Sequence, residues 1–206
     1  MPGPLLAADT PSLMYRAFFA LPSSIKGKDD RPVNALLGTA NLLLREHERY
    51  DPRAVVLCWG AEAAEYRTAA LPVYHADRPE MPEDLVWQWE VAPDFFAAFG
   101  WPSLHAGDLE ADDLLGALAQ AEDGDVLLFT SDRDMYQCVG ERVRVLAPGG
   151  KEGPAVIDAG EVRTRYGIEP EQVPDFIALR GDPSDGIPGA KGIGAKGAAQ
   201  LLRDHG

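Results

Sequence analysis

Four short apolar runs constrain this chain most: PLLAAD at 4–9, AVVLCW at 54–59, DVLLFT at 125–130 and RVRVLA at 142–147. Each has the length of a strand, and a run dominated by apolar residues reads as a buried strand. Helical patterns lie between them, notably VNALLGTANLLLREHERY at 33–50 and EADDLLGALAQA at 110–121. Strands alternating with helices predict an α/β fold, a mainly parallel central sheet flanked by helices. In such sheets ligands gather at the carboxyl ends of the strands.

Acidic residues stand at those ends. Asp9 closes the first run, Asp132 and Asp134 follow the third in SDRD, and Asp108, Glu110, Asp112 and Asp113 crowd the start of the 110–121 helix. Acids at a helix start also serve as caps and meet the positive end of its dipole, and paired aspartates after a strand also form turns. Three such features at one sheet edge favour a shared site over three separate local roles. Glu110 and Asp113, three apart, fall on one helical face beside the apolar Leu114, Leu115 and Leu118. A further stretch, GDPSDGIPGAKGIGAKGAAQLLRDHG, holds Asp182 and Asp185 and then Gly189, Gly192, Gly194 and Gly197 before a helical end. Glycines ahead of a helix let backbone N–H groups approach a phosphate, and Lys191 and Lys196 add charge. This pattern predicts a helix-hairpin-helix element.

The chain has 206 residues, enough for one compact domain or one domain with a small appendage. No stretch approaches the roughly 20 apolar residues of a membrane helix. The opening MPGPLLAADT carries neither a basic leader nor an apolar signal core, so a cytoplasmic protein without membrane contact is expected. Cys58 and Cys138 sit in apolar stretches and read as buried thiols. The net charge of −14 argues against nucleic acid as a partner, yet from Gly186 to Gly206 three basic residues face a single acid. Residues 66–90, with three prolines and several charges, read as an excursion from the sheet beside the strand ends.

Taken together, LLAADTPSLMYRAF, RPVNALLG, YR at 66–67, LEADDLLGALA, LLFTSDRDMYQCV and YGIEPEQVPDFIALRGDPSDGIPGAKGIGAKGAAQLL resemble the 5′ nuclease family of flap endonucleases and the 5′–3′ exonuclease domain of bacterial DNA polymerase I. The resemblance implies a PIN-like 5′ nuclease core over 1–180 with an arch-like excursion at about 60–90. Residues 181–206 would be a DNA-binding helix-hairpin-helix element, incomplete because family members continue for several helices. It implies that Asp9, Glu110, Asp112, Asp113, Asp132, Asp134, Asp182 and Asp185 line a site for two or more Mg²⁺ or Mn²⁺ ions. That agrees with the hard oxygen donors such ions prefer. Arg16, Arg67, His75, Arg78, Gly189, Lys191, Gly192, Gly194 and Lys196 would contact DNA, with K⁺ at the hairpin carbonyls. The function implied is hydrolysis of DNA at a 5′ end or 5′ flap by a two-metal mechanism, linked to a DNA polymerase and a ligase in replication and repair.

Two positions depart from the family pattern. Where the second strand usually ends in aspartate, this chain has Cys58 or Trp59, and Glu62 or Glu65 could substitute only if the loop bends back. Where the arch usually carries YKxxR, this chain reads YHADR, with His75 in place of the lysine or simply facing solvent. These departures sustain an alternative, a weakened or inactive homologue that binds DNA structures. A phosphatase of the haloacid dehalogenase type ranks far behind, because LLFTSDRDMYQC lacks the ending those enzymes carry and the hairpin would be unexplained.

Overall fold

The computed structural model describes residues 3–149 and 153–206. Its six strands are β1 (Leu5–Asp9), β2 (Ala54–Trp59), β3 (Ser103–His105), β4 (Val126–Phe129), β5 (Val143–Ala147) and β6 (Ala155–Ile157). They form one sheet in the order β3-β2-β1-β4-β5-β6, parallel except for β6, which runs antiparallel at the edge. The four apolar runs form β1, β2, β4 and β5, while β3 and β6 are three-residue edge strands that the sequence pattern did not mark.

Alternation along each strand sends side chains to two cores. On one face, Leu6, Ala8, Leu57, Leu127, Phe129 and Leu146 pack under α1 (Thr10–Ala20), α2 (Asn34–Tyr50) and α4 (Glu83–Ala97). On the other, Leu5, Ala7, Cys58, Val126, Leu128, Val143 and Val145 pack under α5 (Ala111–Ala121), α6 (Ala159–Tyr166), α7 (Val173–Arg180) and α8 (Ala195–His205). Each fully buried leucine contributes on the order of 1.5–3 kcal/mol over its exposed state. Helices α7 and α8 therefore share a core with the sheet.

The 66–90 stretch is more ordered than its composition suggests. It begins in α3 (Glu65–Ala70), passes through turns, and from Glu83 onward is already α4. Buried Leu85 and Gln88 hold α4 to the rest. Val33 offers no side-chain cap to α2, so Gln88 Oε1 accepts from the N–H groups of Ala35 (2.9 Å) and Leu36 (3.3 Å) instead. The part before α4 is what lies over the sheet edge, where it lines a cleft.

The hairpin lies between α7 and α8. Asp182 and Ile187 exchange both backbone hydrogen bonds at 2.8 Å, and the N–H of Ala190 donates to Leu179 at 2.8 Å. Gly189 has φ 68, and a Cβ there would sit 2.4 Å from the Gly181 nitrogen, so the turn closes only around glycine.

Candidate functional site

Strand order reverses between β1 and its two parallel neighbours β2 and β4, and at that switch the carboxyl ends open a crevice. Asp9 ends β1 there and caps α1, accepting the N–H of Ser12 at 3.1 Å. Beside it, β4 runs into Thr130, whose buried hydroxyl donates to Asp9 Oδ2 at 2.6 Å and accepts the N–H of Asp132 at 3.0 Å. Asp132 in turn accepts the N–H of Asp134 at 2.8 Å. Thr130 thus ties the first acidic position to the second, a link that no sequence pattern announced.

The acids opening α5 divide between two tasks. Glu110 is the N-cap, and its N–H donates to Asp113 Oδ2 at 2.9 Å, so these two close a capping box. Glu110 also accepts from the Ala64 N–H (2.7 Å) and the Tyr74 hydroxyl (2.9 Å). Arg67 bridges both acids, at 3.0 Å to Glu110 and 2.8 Å to Asp113. Asp112, between them, faces Asp132 and Asp9. Asp108 stays exposed and takes no part.

Electrostatics separates an inner group from an outer one. Burial, then the charge of Asp132, pushes Asp9 up to about 6, although its bonds to Thr130 and Ser12 pull the other way. Burial raises Asp134 to about 7, with Asp132, Asp185 and Asp182 adding to it. Asp112 and Asp132 are both driven up, chiefly by desolvation, and share a hydrogen bond. Among the described residues, none of these four carboxylates forms an ion pair with a basic side chain. The outer acids do: Glu110 and Asp113 with Arg67, Asp185 with Arg78, and Asp182 with Arg180 at 3.0 Å, while the His75 ring also contacts Asp185. Asp182 is held below the usual range despite its partial burial, by Ser184 and Arg180.

Four desolvated carboxylates with no protein cation between them fit divalent ions, and an all-oxygen donor set suits Mg²⁺ or Mn²⁺ over softer metals. The side chains hydrogen-bond within the site, and among the described residues no three are already converged on a single ion position. Ion binding therefore requires them to turn from Thr130, from one another and from their backbone donors. A cleft of about 690 Å³ opens beside them, lined by Arg67, Tyr74, His75, Arg78, Asp112, Asp132, Asp134 and Asp185 among others.

Not every expected residue faces this cleft. Arg16 is exposed on α1 and lies outside the lining. Lys191 and Lys196 are exposed on the hairpin and at the start of α8, flanking Gly192 (φ 83) and Gly194, the N-cap of α8. His75 does not face solvent: only 4% of its side chain is exposed, and its Nε2 lies 2.9 Å from Asp185. Neither Glu62 nor Glu65 substitutes at the end of β2, since neither lines the cleft and Glu62 accepts the Tyr15 hydroxyl at 3.0 Å. Cys58 is the residue on the Asp9 side, and Trp59 packs on the opposite face. Burial, then Asp9 and Asp112, pushes the Cys58 thiol up to about 12, so it stays neutral. Cys138 is only half buried and helps to line the cleft, unlike the buried thiol its sequence context suggests. Tyr66 and Tyr74 join the site through hydroxyl bonds to Asp113 (3.4 Å) and Glu110 (2.9 Å); the YR pair at 66–67 belonged to the resemblance without a role for its tyrosine, and Tyr74 carried no sequence signal.

Comparison with known proteins bears on the whole arrangement. Residues 4–167 match the family described as 5′-3′ exonuclease, N-terminal resolvase-like domain, and residues 168–206 match 5′-3′ exonuclease, C-terminal SAM fold. A 5′-3′ exonuclease of Streptomyces coelicolor is 36% identical over 96% of this chain and 71% of its own length. One from Mycobacterium tuberculosis is 35% identical over 100% of this chain and 72% of its own. The thermostable DNA polymerase I of Thermus thermophilus is 39% identical over 99% of this chain, which spans only 24% of that enzyme. Among solved structures, the D15 protein of bacteriophage T5, crystallised with metal ions, superposes with a TM-score of 0.80 at 18% identity, covering 97% of this chain and 74% of that one. The shared fold places the strand-end acids on a scaffold of the same type, and family matches that run without a break from residue 4 to residue 206 mean that the chain belongs to the 5′–3′ exonuclease family.

Proposed function

We propose that the chain hydrolyses DNA phosphodiester bonds at a 5′ end or 5′ flap, using Mg²⁺ or Mn²⁺. The observation that carries this reading is the inner group of Asp9, Asp112, Asp132 and Asp134, desolvated at the sheet's switch point without a basic partner. These four would hold the ions, with Asp182 and Asp185 at the rim. Once bound, the ions supply an activated water and steady the leaving oxygen. Glu110 and Asp113 hold Arg67 at the cleft wall, where it and Arg78 can take phosphate oxygens of the reacting strand. The hairpin, with Gly189, Lys191, Gly192, Gly194 and Lys196, would grip duplex backbone without reading bases, with K⁺ as a candidate ion at its carbonyls. Residues 1–180 then act as the catalytic part and 181–206 as a DNA-binding part. Relatedness to DNA polymerase I supports a link to DNA replication or repair in the cytoplasm.

Cys58 supports a second reading. A neutral thiol beside Asp9 removes one negative donor from the site, which favours a homologue that binds DNA structures and cleaves slowly. One experiment separates the two. A 5′-labelled flap duplex is incubated with the chain in Mg²⁺, Mn²⁺ or chelator at low salt. Metal-dependent release of labelled fragment, lost in Asp132→Asn while flap binding persists, supports the nuclease. Intact flap retained under every ion supports the binding homologue, and cleavage unchanged in Asp132→Asn refutes the site.

A further inference from the structure

Residues 62–78 cross the mouth of the cleft and rest on the 182–187 turn, and His75 is the pin between them. Its backbone sits at φ 55, and its ring stacks on Tyr74 with centroids 3.8 Å apart. Nδ1 lies 3.0 Å from the Glu62 carbonyl oxygen and Nε2 lies 2.9 Å from Asp185 Oδ1. Both neighbours offer acceptor oxygens, so the ring is held between them from its two nitrogens. Arg78 repeats the pattern, donating to the same carbonyl at 3.1 Å and approaching Asp185 Oδ1 at 3.8 Å. The backbones also meet. The His75 N–H donates to the Asp185 carbonyl at 3.3 Å, and a Cβ on Gly186 (φ 75) would stand 2.4 Å from the Val73 oxygen. Any side chain at that position would lift the segment away.

Asp185 is thus engaged by the His75 ring and by the Arg78 guanidinium, whereas Asp132 and Asp134, which feel its charge, have no basic partner among the described residues. A divalent ion at Asp185 and the His75–Arg78 contacts are alternatives, because both side chains occupy the same oxygen, Asp185 Oδ1, and the Arg78 guanidinium repels a second cation there. We propose that residues 62–78 form a latch, held shut by His75 and Arg78 on Asp185, which a divalent ion opens by taking Asp185 and so frees both side chains to receive a DNA phosphate. The latch rests on the metal-centre reading above. Coupling between two ligands is reciprocal, so a latch that the ion opens must also oppose the ion. Removing a latch residue then tightens ion binding. A contact that merely propped Asp185 in place would do the reverse.

The test uses the full chain with His75→Ala and, separately, Arg78→Ala. Arg78 is 49% exposed, so its truncation leaves the fold intact, and circular-dichroism melts check both variants. Mg²⁺ binding is titrated by calorimetry without DNA, and trypsin cleavage after Arg67 reports opening of the segment. The expected result is faster cleavage of the wild type once Mg²⁺ is added, fast cleavage of both variants without it, and Mg²⁺ affinity in the variants roughly fivefold tighter or more. Unchanged or weaker affinity in the folded variants overturns the latch, as does cleavage that ignores the ion. A wild-type chain that binds neither Mg²⁺ nor Mn²⁺ overturns the metal centre itself, and the same titration reads that outcome separately.

Discussion

Asp9 and Cys58 are partners across the parallel β1–β2 ladder, so their side chains leave the same face of the sheet toward α5. A thiol that stays neutral therefore occupies the place best suited to share an ion with Asp9. Cys58→Asp should tighten Mg²⁺ binding roughly tenfold or more, since affinity in oxygen-ligand sites follows the count of charged ligands. It should also lower stability in chelator by about 1–3 kcal/mol, the cost of a buried carboxylate without a partner. Calorimetric titration and thermal melts check the two halves, and unchanged Mg²⁺ affinity would count against a metal-facing role for this position.

The raised carboxyls give the metal-free protein an inverted pH response. Asp9 and Asp134 bind protons more tightly folded, at about 6 and about 7, than at their ordinary value of 3.8. Between those limits the native state holds more protons than the unfolded chain, so stability falls as pH rises. The upward shift of Asp112 continues the fall to higher pH. Melts in chelator should thus show a lower midpoint at pH 8 than at pH 5, and saturating Mg²⁺ should shrink that difference. The same slope with and without the ion would show that these carboxylates are not where it binds.

Thr130 is buried and bonds both Asp9 and the backbone of Asp132. Thr130→Val keeps its shape and removes both bonds. A loss of about 1–3 kcal/mol is expected, from the unpaired groups left behind. Cleavage should slow through kcat, with flap affinity little changed, because Thr130 orients carboxylates and does not line the cleft. A variant that loses affinity while keeping kcat would place Thr130 in substrate binding.

Lys191 and Lys196 flank the hairpin glycines and are exposed. If each neutralises one phosphate, the double variant Lys191→Ala, Lys196→Ala should reduce the slope of log affinity against log salt by about two. Fluorescence anisotropy with a labelled duplex across a salt series measures this. Retention of the full slope would move the DNA contact elsewhere.

The strands that position the site were legible because both faces of a parallel sheet are covered, so β1 up to Asp9, β2 and β4 read as apolar runs and β5 as a run interrupted only by Arg144. Edge strands β3 and β6, three residues each, carry too little pattern to register. The helix α1 follows Asp9 without a loop, and α4 is disguised by Pro93 and by its polar first turn. Acids at strand ends were visible for the same geometric reason as the strands. Their division was not. Nothing in EADD tells that Asp112 faces Asp132 while its neighbours hold Arg67, because that depends on which side of α5 meets the 62–78 segment. The burial of His75 was hidden likewise, since it depends on Asp185, 110 residues away, and on the 62–78 segment folding back so that Glu62 meets the ring.

An aromatic row runs from the turn carrying Asp134 to the hairpin carrying Asp182. Tyr136 and Tyr166 lie 6.1 Å apart, Tyr166 and Phe176 5.6 Å, and the Arg180 guanidinium rests 5.4 Å over Phe176 while pairing with Asp182. The row ties the turn of Asp134 to the hairpin of Asp182 by direct packing, so a duplex held by the hairpin, as proposed above, would lie at a fixed distance from the carboxylates. Under that proposal the row would serve as a gauge. The place where a strand is cut would be measured from the clasped duplex end, and it would stay the same however the segment over the cleft moves.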